Sequence, residues 1–310
     1  MLLTWIIIFL LMLGLLIKSA DWFTDSAEKL GEKLNVSQFL IGVVIVAIGT
    51  SLPELATSVA SVIDKQSEIV VGNVLGSNIV NILLGLGIAA MIAKEAIYMK
   101  KNIFSGDYPI LIAATALVFF TIMDGKITFL ETILFLTGLL IYYQHIKHLH
   151  KAHRSENEGK GVFDWGAITK IIFSGVILFL SAKFLVTATV QISELLDIGT
   201  SIIAASAIAL GTSLPEIMVA TVSARKGRYD LAMGNIIGSS VFNIFGVIGI
   251  SGLFGAILVP AGMISFVMPF AVVAVIIYGV VLLDDKIIPS EGSIMVLLYV
   301  LFIVKLLGIV

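Results

Sequence analysis

The sequence contains no cysteine, and this absence excludes disulfide bonds and thiolate metal sites. Charged residues are also scarce. They make up 13% of the 310 residues, while hydrophobic residues make up 59% and the mean hydropathy is +1.10. An average soluble domain carries about twice as much charge. The composition therefore predicts a polytopic membrane protein.

Apolar runs recur along the whole chain. A helix needs roughly 20 apolar residues to cross a bilayer. We predict ten such helices, at about residues 2–17, 38–63, 69–93, 107–123, 127–145, 166–187, 200–224, 230–256, 260–282 and 287–309. The first run is short, but it lacks the basic region and small-residue cleavage site of a signal peptide, so we interpret it as a retained span. The predicted fold class is an all-α polytopic membrane protein.

The basic residues are distributed unevenly among the predicted loops. If the N-terminus lies outside, only Lys65, Lys126, Lys183 and Lys305 fall on the outer side, and the remaining fifteen of the 19 lysines and arginines fall on the cytoplasmic side. Cytoplasmic loops carry an excess of Lys and Arg. This asymmetry predicts a multi-pass protein of the cell membrane with both termini extracellular.

The chain repeats itself after a shift of 162 residues. The motif GTSLPE at 49–54 falls on the same six residues at 211–216, and GNVLGSNIVN at 72–81 falls on GNIIGSSVFN at 234–243. The polar residues of the spans are concentrated in these repeated motifs. We therefore favour a functional role for the duplication over a structural role alone.

The repeat divides the chain into two halves of five helices. We predict a first repeat at 1–146, a cytoplasmic linker at 147–165 and a second repeat at 166–310. Because five is an odd number, the second repeat enters the membrane from the opposite face. Inverted-topology repeats are typical of secondary transporters.

All four histidines lie in or beside the linker, at His145, His148, His150 and His153. Their i,i+3 spacing is compatible with a transition-metal site. A solvated basic loop end is the alternative interpretation, and the sequence favours it.

Glu54 and Glu216 are the two acidic residues near the middle of a predicted span. A charge there costs ~2.5–3.5 kcal/mol on insertion scales, and such residues face a cavity or a partner. Two carboxylates that meet in a low-dielectric site cannot both stay ionised without a cation or a proton. The repeat therefore predicts a cation site between the halves.

Oxygen atoms surround these acids in the sequence. Thr50 and Ser51 precede Glu54 by one turn, and Pro53 disrupts the helix so that carbonyls such as those of Ala47 or Thr50 become available. The second half repeats the pattern. The matching residues are Ala209, Gly211, Thr212, Ser213 and Pro215.

The second repeated motif adds hydroxyls and amides. Ser77 and Asn81, like Ser239 and Asn243, are spaced i,i+4 and share a helix face. The glycine pairs Gly72/Gly76 and Gly234/Gly238 predict close helix contacts. Two further amides, Asn73 and Asn235, are either structural or next to the ligand.

These donors are all oxygen atoms, which hard cations prefer. Ca²⁺ takes 6–8 oxygens at about 2.3–2.6 Å, whereas zinc and copper prefer thiolate and imidazole. Two carboxylates formally balance one Ca²⁺ or two Na⁺, so mutually exclusive occupancy would give antiport. A passive channel and an intramembrane enzyme are less favoured, because the halves form one inverted repeat and no nucleophile is paired with a base.

The paired motifs GTSLPE and GNxxGSxxxN resemble the α-repeats of the Na⁺/Ca²⁺ exchangers, within the cation/Ca²⁺ antiporter superfamily, and most resemble its small prokaryotic members. The resemblance implies electrogenic exchange by alternating access, in which the first and sixth helices slide against the rest. It implies Ca²⁺ and Na⁺ as substrates, with no cofactor, no nucleic acid and no obligatory protein partner. The implied ion-binding residues are Glu54, Glu216, Thr50, Thr212, Ser51, Ser213, Ser77, Ser239, Asn81, Asn243, Ala47 and Ala209.

One position departs from part of the superfamily. The K⁺-dependent branch carries Asp where this chain has Asn243, so the resemblance implies K⁺-independent exchange. Ca²⁺/H⁺ exchangers share the fold but resemble GNxxE at the site, where this chain has GTSLPE. Coupling to Na⁺ is therefore favoured, and coupling to H⁺ is the alternative.

Overall fold

The computed structural model describes residues 1–34, 36–93, 95–98, 106–153, 164–195, 200–284 and 286–306, and for residues 98, 149–153, 193 and 200–210 it describes the backbone alone. The described chain is mainly helical. Its helices are α1 (Leu2–Leu34), α2 (Gln38–Thr50), α3 (Leu52–Ile63), α4 (Glu68–Ile92), α5 (Asp107–Thr121), α6 (Phe129–His153), α7 (Trp165–Leu195), α8 (Thr200–Arg225), α9 (Tyr229–Gly252), α10 (Met263–Asp284) and α11 (Pro289–Leu306).

Each predicted apolar segment coincides with helical structure, but the helices differ in their ability to span a bilayer. Within the described ranges, seven helices are long and apolar enough, and α2 with α3 makes an eighth span that is bent by 41°. Helix α5 has 15 residues and is shorter than a standard span. The protein is therefore multi-pass, while the count of ten spans stays a prediction.

Helix α1 is longer than the predicted apolar span of residues 2–17 and extends beyond its C-terminal end to Leu34. The helix continues to Leu34 because its charged second half finds partners on the loop that follows α8. Asp25 accepts hydrogen bonds from Lys226 at 2.7 Å and from Arg228 at 2.6 Å. A helix can continue beyond its apolar run when its carboxylates are paired with basic residues. The length of the apolar run alone does not reveal this continuation.

Helices α1 and α7, at matching positions in the two halves, pack against each other in antiparallel fashion. Lys33, near the end of α1, lies 2.5 Å from Asp164, just before α7 begins. This ion pair lowers the pKa of the Asp164 carboxyl. Farther along the pair, Phe23 packs against Gly175, where an added Cβ would lie 3.2 Å from the ring.

Four two-residue strands join loops of the two halves. They are β1 (Ile97–Tyr98), β2 (Lys126–Ile127), β3 (Ile257–Leu258) and β4 (Lys286–Ile287). Strand β1 pairs with β4 and β2 pairs with β3, both antiparallel. The isoleucines of each pair face one another and are fully buried, so each pair is a small apolar clip between the halves.

The core of the molecule is formed by α4 and α9, which carry the GNxxGSxxxN motifs. The most apolar stretch of α9 is 100% buried and that of α4 is 72% buried, against 11% for α1. The inner helices are thus enclosed by protein, and α1 presents its apolar residues outward. This arrangement places the repeated polar motifs inside the bundle.

The glycines of α9 allow a close crossing with α2. A Cβ added at Gly238 would lie 2.7 Å from the Cα of Val43, so a side chain there would collide with the backbone of α2. The prediction for the equivalent pair in α4 is wrong. A Cβ added at Gly72 meets only the Met263 side chain, and one at Gly76 meets nothing within 4 Å. Of these two repeat-related glycine pairs, only Gly234/Gly238 mediates a close backbone approach.

Candidate functional site

The motif GTSLPE forms a broken helix in the first half. Helix α2 ends at Thr50, Ser51 adopts φ −86° and ψ 3°, and α3 begins with Pro53 in its first turn. Glu54 is in the same first turn. The exposed N–H groups of a helix start favour negative charge. The break therefore places a carboxylate where the backbone stabilises it.

The second half does not break its helix in the same way, contrary to the prediction. Helix α8 runs continuously with Pro215 inside it. A proline within a buried helix is tolerated when neighbouring groups satisfy the released carbonyl. Ala209 belongs to residues 200–210, whose side chains lie outside the described residues, so its predicted role stays untested.

The prediction that Pro53 releases the Ala47 carbonyl is wrong. That carbonyl accepts a hydrogen bond from the backbone N–H of Ser51 at 3.0 Å. In an α-helix the N–H that Pro53 lacks would have bonded the carbonyl of Gly49, four residues earlier. The carbonyl of Ala47 is therefore not the one that the proline affects. The Ala47 oxygen still belongs to the site, because the hydroxyl of Ser239 lies 3.4 Å from it.

The two carboxylates meet hydroxyls of the opposite half. Ser51 donates to Oε1 of Glu216 at 3.1 Å, and Ser213 lies 3.4 Å from Oε1 of Glu54. Ser77 approaches the same Glu54 oxygen at 3.5 Å. Hydroxyl hydrogen bonds are usually 2.5–3.0 Å long, so these donors are near the acids without saturating them. Both carboxylates are 0% exposed.

The amides Asn73 and Asn235 make structural hydrogen bonds, while their position next to a ligand stays a prediction. Each Nδ2 donates to the backbone carbonyl of the carboxylate in its own half, Glu54 or Glu216, at 3.2 Å. Their oxygens face the threonines of the opposite half. Thr212 lies 3.4 Å from Asn73, and Thr50 lies 3.3 Å from Asn235. These amides therefore fasten the two GTSLPE motifs to the core helices.

Several buried polar atoms of the site have no hydrogen-bond partner among the described residues. They are Oε2 of Glu54, Oε2 of Glu216, Oδ1 of Asn243 and both polar side-chain atoms of Asn81. All four residues are 0% exposed. Buried polar groups are normally paired, and unpaired ones are costly. The donor set is rich in oxygen and carries two formal negative charges, so it fits a hard cation.

Helical irregularities not anticipated from the sequence surround these residues. One π-helical segment, Gly42–Val46, ends immediately before Ala47, and two others, Val80–Gly85 and Asn243–Ile248, contain Asn81 and Asn243. Such segments are often found at functional sites. The extra residue in the turn changes the direction in which the neighbouring side chains point.

The histidine cluster gains no support as a metal centre. Nε2 of His145 lies 3.8 Å from Oδ1 of Asp107, a buried residue that no sequence motif indicates. The side chains of His150 and His153 lie outside the described residues. Among the side chains that are described, no group of three or more His, Asp or Glu residues is placed to hold a metal ion.

Comparison with known proteins identifies the family. The sequence profile described as "Sodium/calcium exchanger protein" matches this chain twice, over residues 4–145 and 167–308. The chain belongs to the sodium/calcium exchanger family. Members of this family are transporters that exchange cations.

Two curated relatives match over most of their length. The sodium/calcium exchanger MaX1 of Methanosarcina acetivorans is 32% identical over 96% of this chain and 97% of its own. The inner membrane protein YrbG of Escherichia coli is 31% identical over 79% of this chain and 78% of its own. The chain is therefore a membrane cation antiporter of the calcium-exchanging type.

Solved structures of the sodium-calcium exchanger NCX_Mj share the fold. The structure soaked with 10 mM Na⁺ and 10 mM Sr²⁺ has a TM-score of 0.83 and 28% identity, covering 97% of this chain and 98% of its own. The structure soaked with 10 mM Na⁺ and no Ca²⁺ has a TM-score of 0.82. The family profile, the relatives and the solved structures therefore all agree with the resemblance to the Na⁺/Ca²⁺ exchangers that the paired motifs indicated.

Proposed function

We propose that this protein is a Na⁺/Ca²⁺ antiporter that moves the two ions in opposite directions through one shared site. The site comprises Glu54, Glu216 and the surrounding oxygens named above, including the carbonyl of Ala47 and, by repeat symmetry, that of Ala209. The observation that carries the proposal is the set of fully buried, unpaired polar atoms on Glu54, Glu216, Asn81 and Asn243. A bound cation would satisfy them.

The charge of the site favours mutually exclusive occupancy. Two carboxylates balance one Ca²⁺ or two Na⁺, so occupancy by one kind of ion excludes the other on electrostatic grounds. Exchange of more than two Na⁺ per Ca²⁺ would make transport electrogenic. The Asn243 amide adds no third charge, and we therefore propose that K⁺ is neither required nor transported.

We also propose ten membrane-spanning helices in two inverted repeats, at 1–146 and 166–310, joined by a cytoplasmic linker at 147–165. The antiparallel contact of α1 with α7 supports this topology, as does the double match of the family profile. The distribution of basic residues places both termini outside the cell. All site residues come from one chain, so a monomer suffices.

A cavity of about 450 Å³ supports access of ions to the site from the outer side of the membrane. It is lined by Glu68 at the start of α4 and reaches Asn73 and Thr212, which fasten the site. In the proposed topology the Glu68 end of α4 is extracellular. Sliding of α1 and α7 against the remaining helices would close this side and open the other.

Coupling to H⁺ is the second candidate. The buried, unpaired carboxylate oxygens also favour H⁺ coupling, since a proton on Glu54 or Glu216 would neutralise a buried carboxylate as a cation does. The two candidates differ in the ion gradient that drives Ca²⁺ movement.

The deciding experiment is uptake of ⁴⁵Ca²⁺ into proteoliposomes that contain the purified protein. Vesicles loaded with Na⁺ are compared with vesicles loaded at acidic pH, each with and without K⁺. The proposal predicts uptake driven by the outward Na⁺ gradient, unchanged by K⁺ and absent with the H⁺ gradient alone. Uptake driven only by H⁺ would replace the first candidate with the second.

A further inference from the structure

The amides of the two halves are held differently. Nδ2 of Asn243 donates a hydrogen bond to Oδ1 of Asn78 at 3.2 Å, and Nδ2 of Asn78 donates to the Ser240 carbonyl at 3.0 Å. These residues are 4% exposed or less. Asn81, the repeat equivalent of Asn243, has no hydrogen-bond partner for either polar side-chain atom among the described residues.

The sequence explains why the first half lacks this support. A shift of 162 residues places Ser240 opposite Asn78, so the residue that would hold Asn81 is a serine. The Ser240 hydroxyl donates to the Ile236 carbonyl of its own helix at 2.8 Å. It is therefore committed within α9, and the two-fold pattern of the site is broken at this position.

The chain of hydrogen bonds has a fixed direction. Because Asn78 uses its Nδ2 on a backbone carbonyl, its side chain presents only the oxygen to Asn243. Asn243 must then turn its own Nδ2 toward Asn78, which leaves its Oδ1 at the other end of the amide. That oxygen is one of the unpaired buried atoms of the site.

The orientation matters for a cation. An amide offers an oxygen on one side and two N–H donors on the other. A rotation of the Asn243 amide by half a turn would present N–H groups to the ion, and these repel it. A locked amide keeps the coordinating atom in place and avoids the entropy cost of ordering it on binding.

We propose that Asn78 is a positioning residue that holds the Asn243 oxygen toward the transported cation, whereas Asn81 remains free to reorient. This inference rests on the proposed cation site. It makes the second half the pre-oriented side of the site and the first half the adaptable side. Asn78 itself need not touch the ion.

The test is a double-mutant cycle on the KM for Ca²⁺ in proteoliposome uptake. Asn78→Leu removes both hydrogen bonds of Asn78 at similar side-chain volume. Loss of the one buried hydrogen bond that holds Asn243 predicts a KM for Ca²⁺ raised about threefold to tenfold. In the Asn243→Ala background the same substitution should change KM by less than about twofold, because the group that Asn78 positions is already gone. Equal effects in both backgrounds would overturn the proposal.

Controls separate positioning from damage to the fold. Ser251→Ala removes a buried hydroxyl from the same helix as Asn243 and should leave the KM for Ca²⁺ unchanged. If Asn78→Leu fails to fold, as judged by gel filtration and thermal melting, Asn78→Ala takes its place in the cycle. Wild-type protein that shows no saturable Ca²⁺ uptake would refute the proposed function, whereas normal wild-type uptake with an additive cycle would refute the role of Asn78 alone.

Discussion

The hydroxyl of Ser51 donates a hydrogen bond to the carboxylate of Glu216, which is 165 residues away in the other half of the chain. The reciprocal pair, Ser213 and Glu54, is 3.4 Å apart. Each half therefore supplies a hydroxyl to the acid of the other, and the candidate site exists only where the halves meet. Movement of one GTSLPE motif relative to the other would alter both contacts together.

Replacement of either acid by its amide should abolish Ca²⁺ transport. Glu54→Gln or Glu216→Gln removes half of the negative charge that faces the ion, while the side-chain volume stays nearly constant. We expect folded protein with no Na⁺-driven ⁴⁵Ca²⁺ uptake above empty vesicles. Glu95→Gln, at an exposed carboxylate, is the matched control and should transport normally. Normal transport by either site variant would refute the assignment.

A third carboxylate should change the balance between monovalent and divalent ions. Asn243→Asp adds negative charge beside two acids that are already fully buried. The additional charge has to be neutralised by another cation or a proton, so we expect the Na⁺ concentration that half-inhibits Ca²⁺ uptake to shift. Asn81→Asp makes the same change in the other half. Identical ion dependence in wild type and Asn243→Asp would contradict the charge balance proposed for the site.

Glycine should be essential on one side of the repeat and replaceable on the other. Gly238→Ala forces a Cβ against the backbone of α2, and overpacking of this kind costs about 1–3 kcal/mol. Gly76→Ala, the repeat-equivalent change, meets no atom within 4 Å and should be neutral. Thermal melting of the two variants in one detergent compares them directly. Equal losses of stability would mean that the close crossing of α2 and α9 is not what requires Gly238.

The ion pairs between α1 and the loop after α8 should contribute a modest, salt-dependent stabilisation. Asp25→Asn removes the negative charge that Lys226 and Arg228 share and should cost about 0.2–1 kcal/mol. The loss should shrink as ionic strength is raised with choline chloride, since salt screens partly exposed pairs. Melting temperatures at low and high choline chloride measure it, with the exposed Asp64→Asn as control. A loss independent of salt would point to packing instead.

The positions of the helices could be predicted from the sequence, because long apolar runs leave few alternatives in a membrane. The repeat also indicated that Glu54 and Glu216 are equivalent, and the structure places a serine of the opposite half beside each of them. What could not be predicted is where the equivalence fails. The helix is interrupted just before Pro53 and runs continuously through Pro215, although the six-residue motif is identical in both halves. Whether a helix continues through a proline depends on how its surroundings satisfy the released carbonyl, which the motif itself does not reveal.

Local helix geometry and side-chain networks were also beyond the sequence. The π-helical segments around Asn81 and Asn243 follow from packing, and no residue pattern marked them in advance. The sequence gives no signal for Asn78, because i,i+4 spacing relates Ser77 to Asn81 and leaves Asn78 on another face. Its importance becomes visible only when α9 is packed beside α4.

The central claim is that Na⁺ and Ca²⁺ compete for one buried site, and equilibrium binding tests it most directly. Binding of ⁴⁵Ca²⁺ to the purified wild-type protein is measured while Na⁺ replaces choline at constant ionic strength and pH. We predict complete displacement of Ca²⁺ with a sigmoidal dependence on Na⁺, because more than one Na⁺ must replace each Ca²⁺. Ca²⁺ that stays bound at saturating Na⁺, and is released only by acid, would contradict the claim.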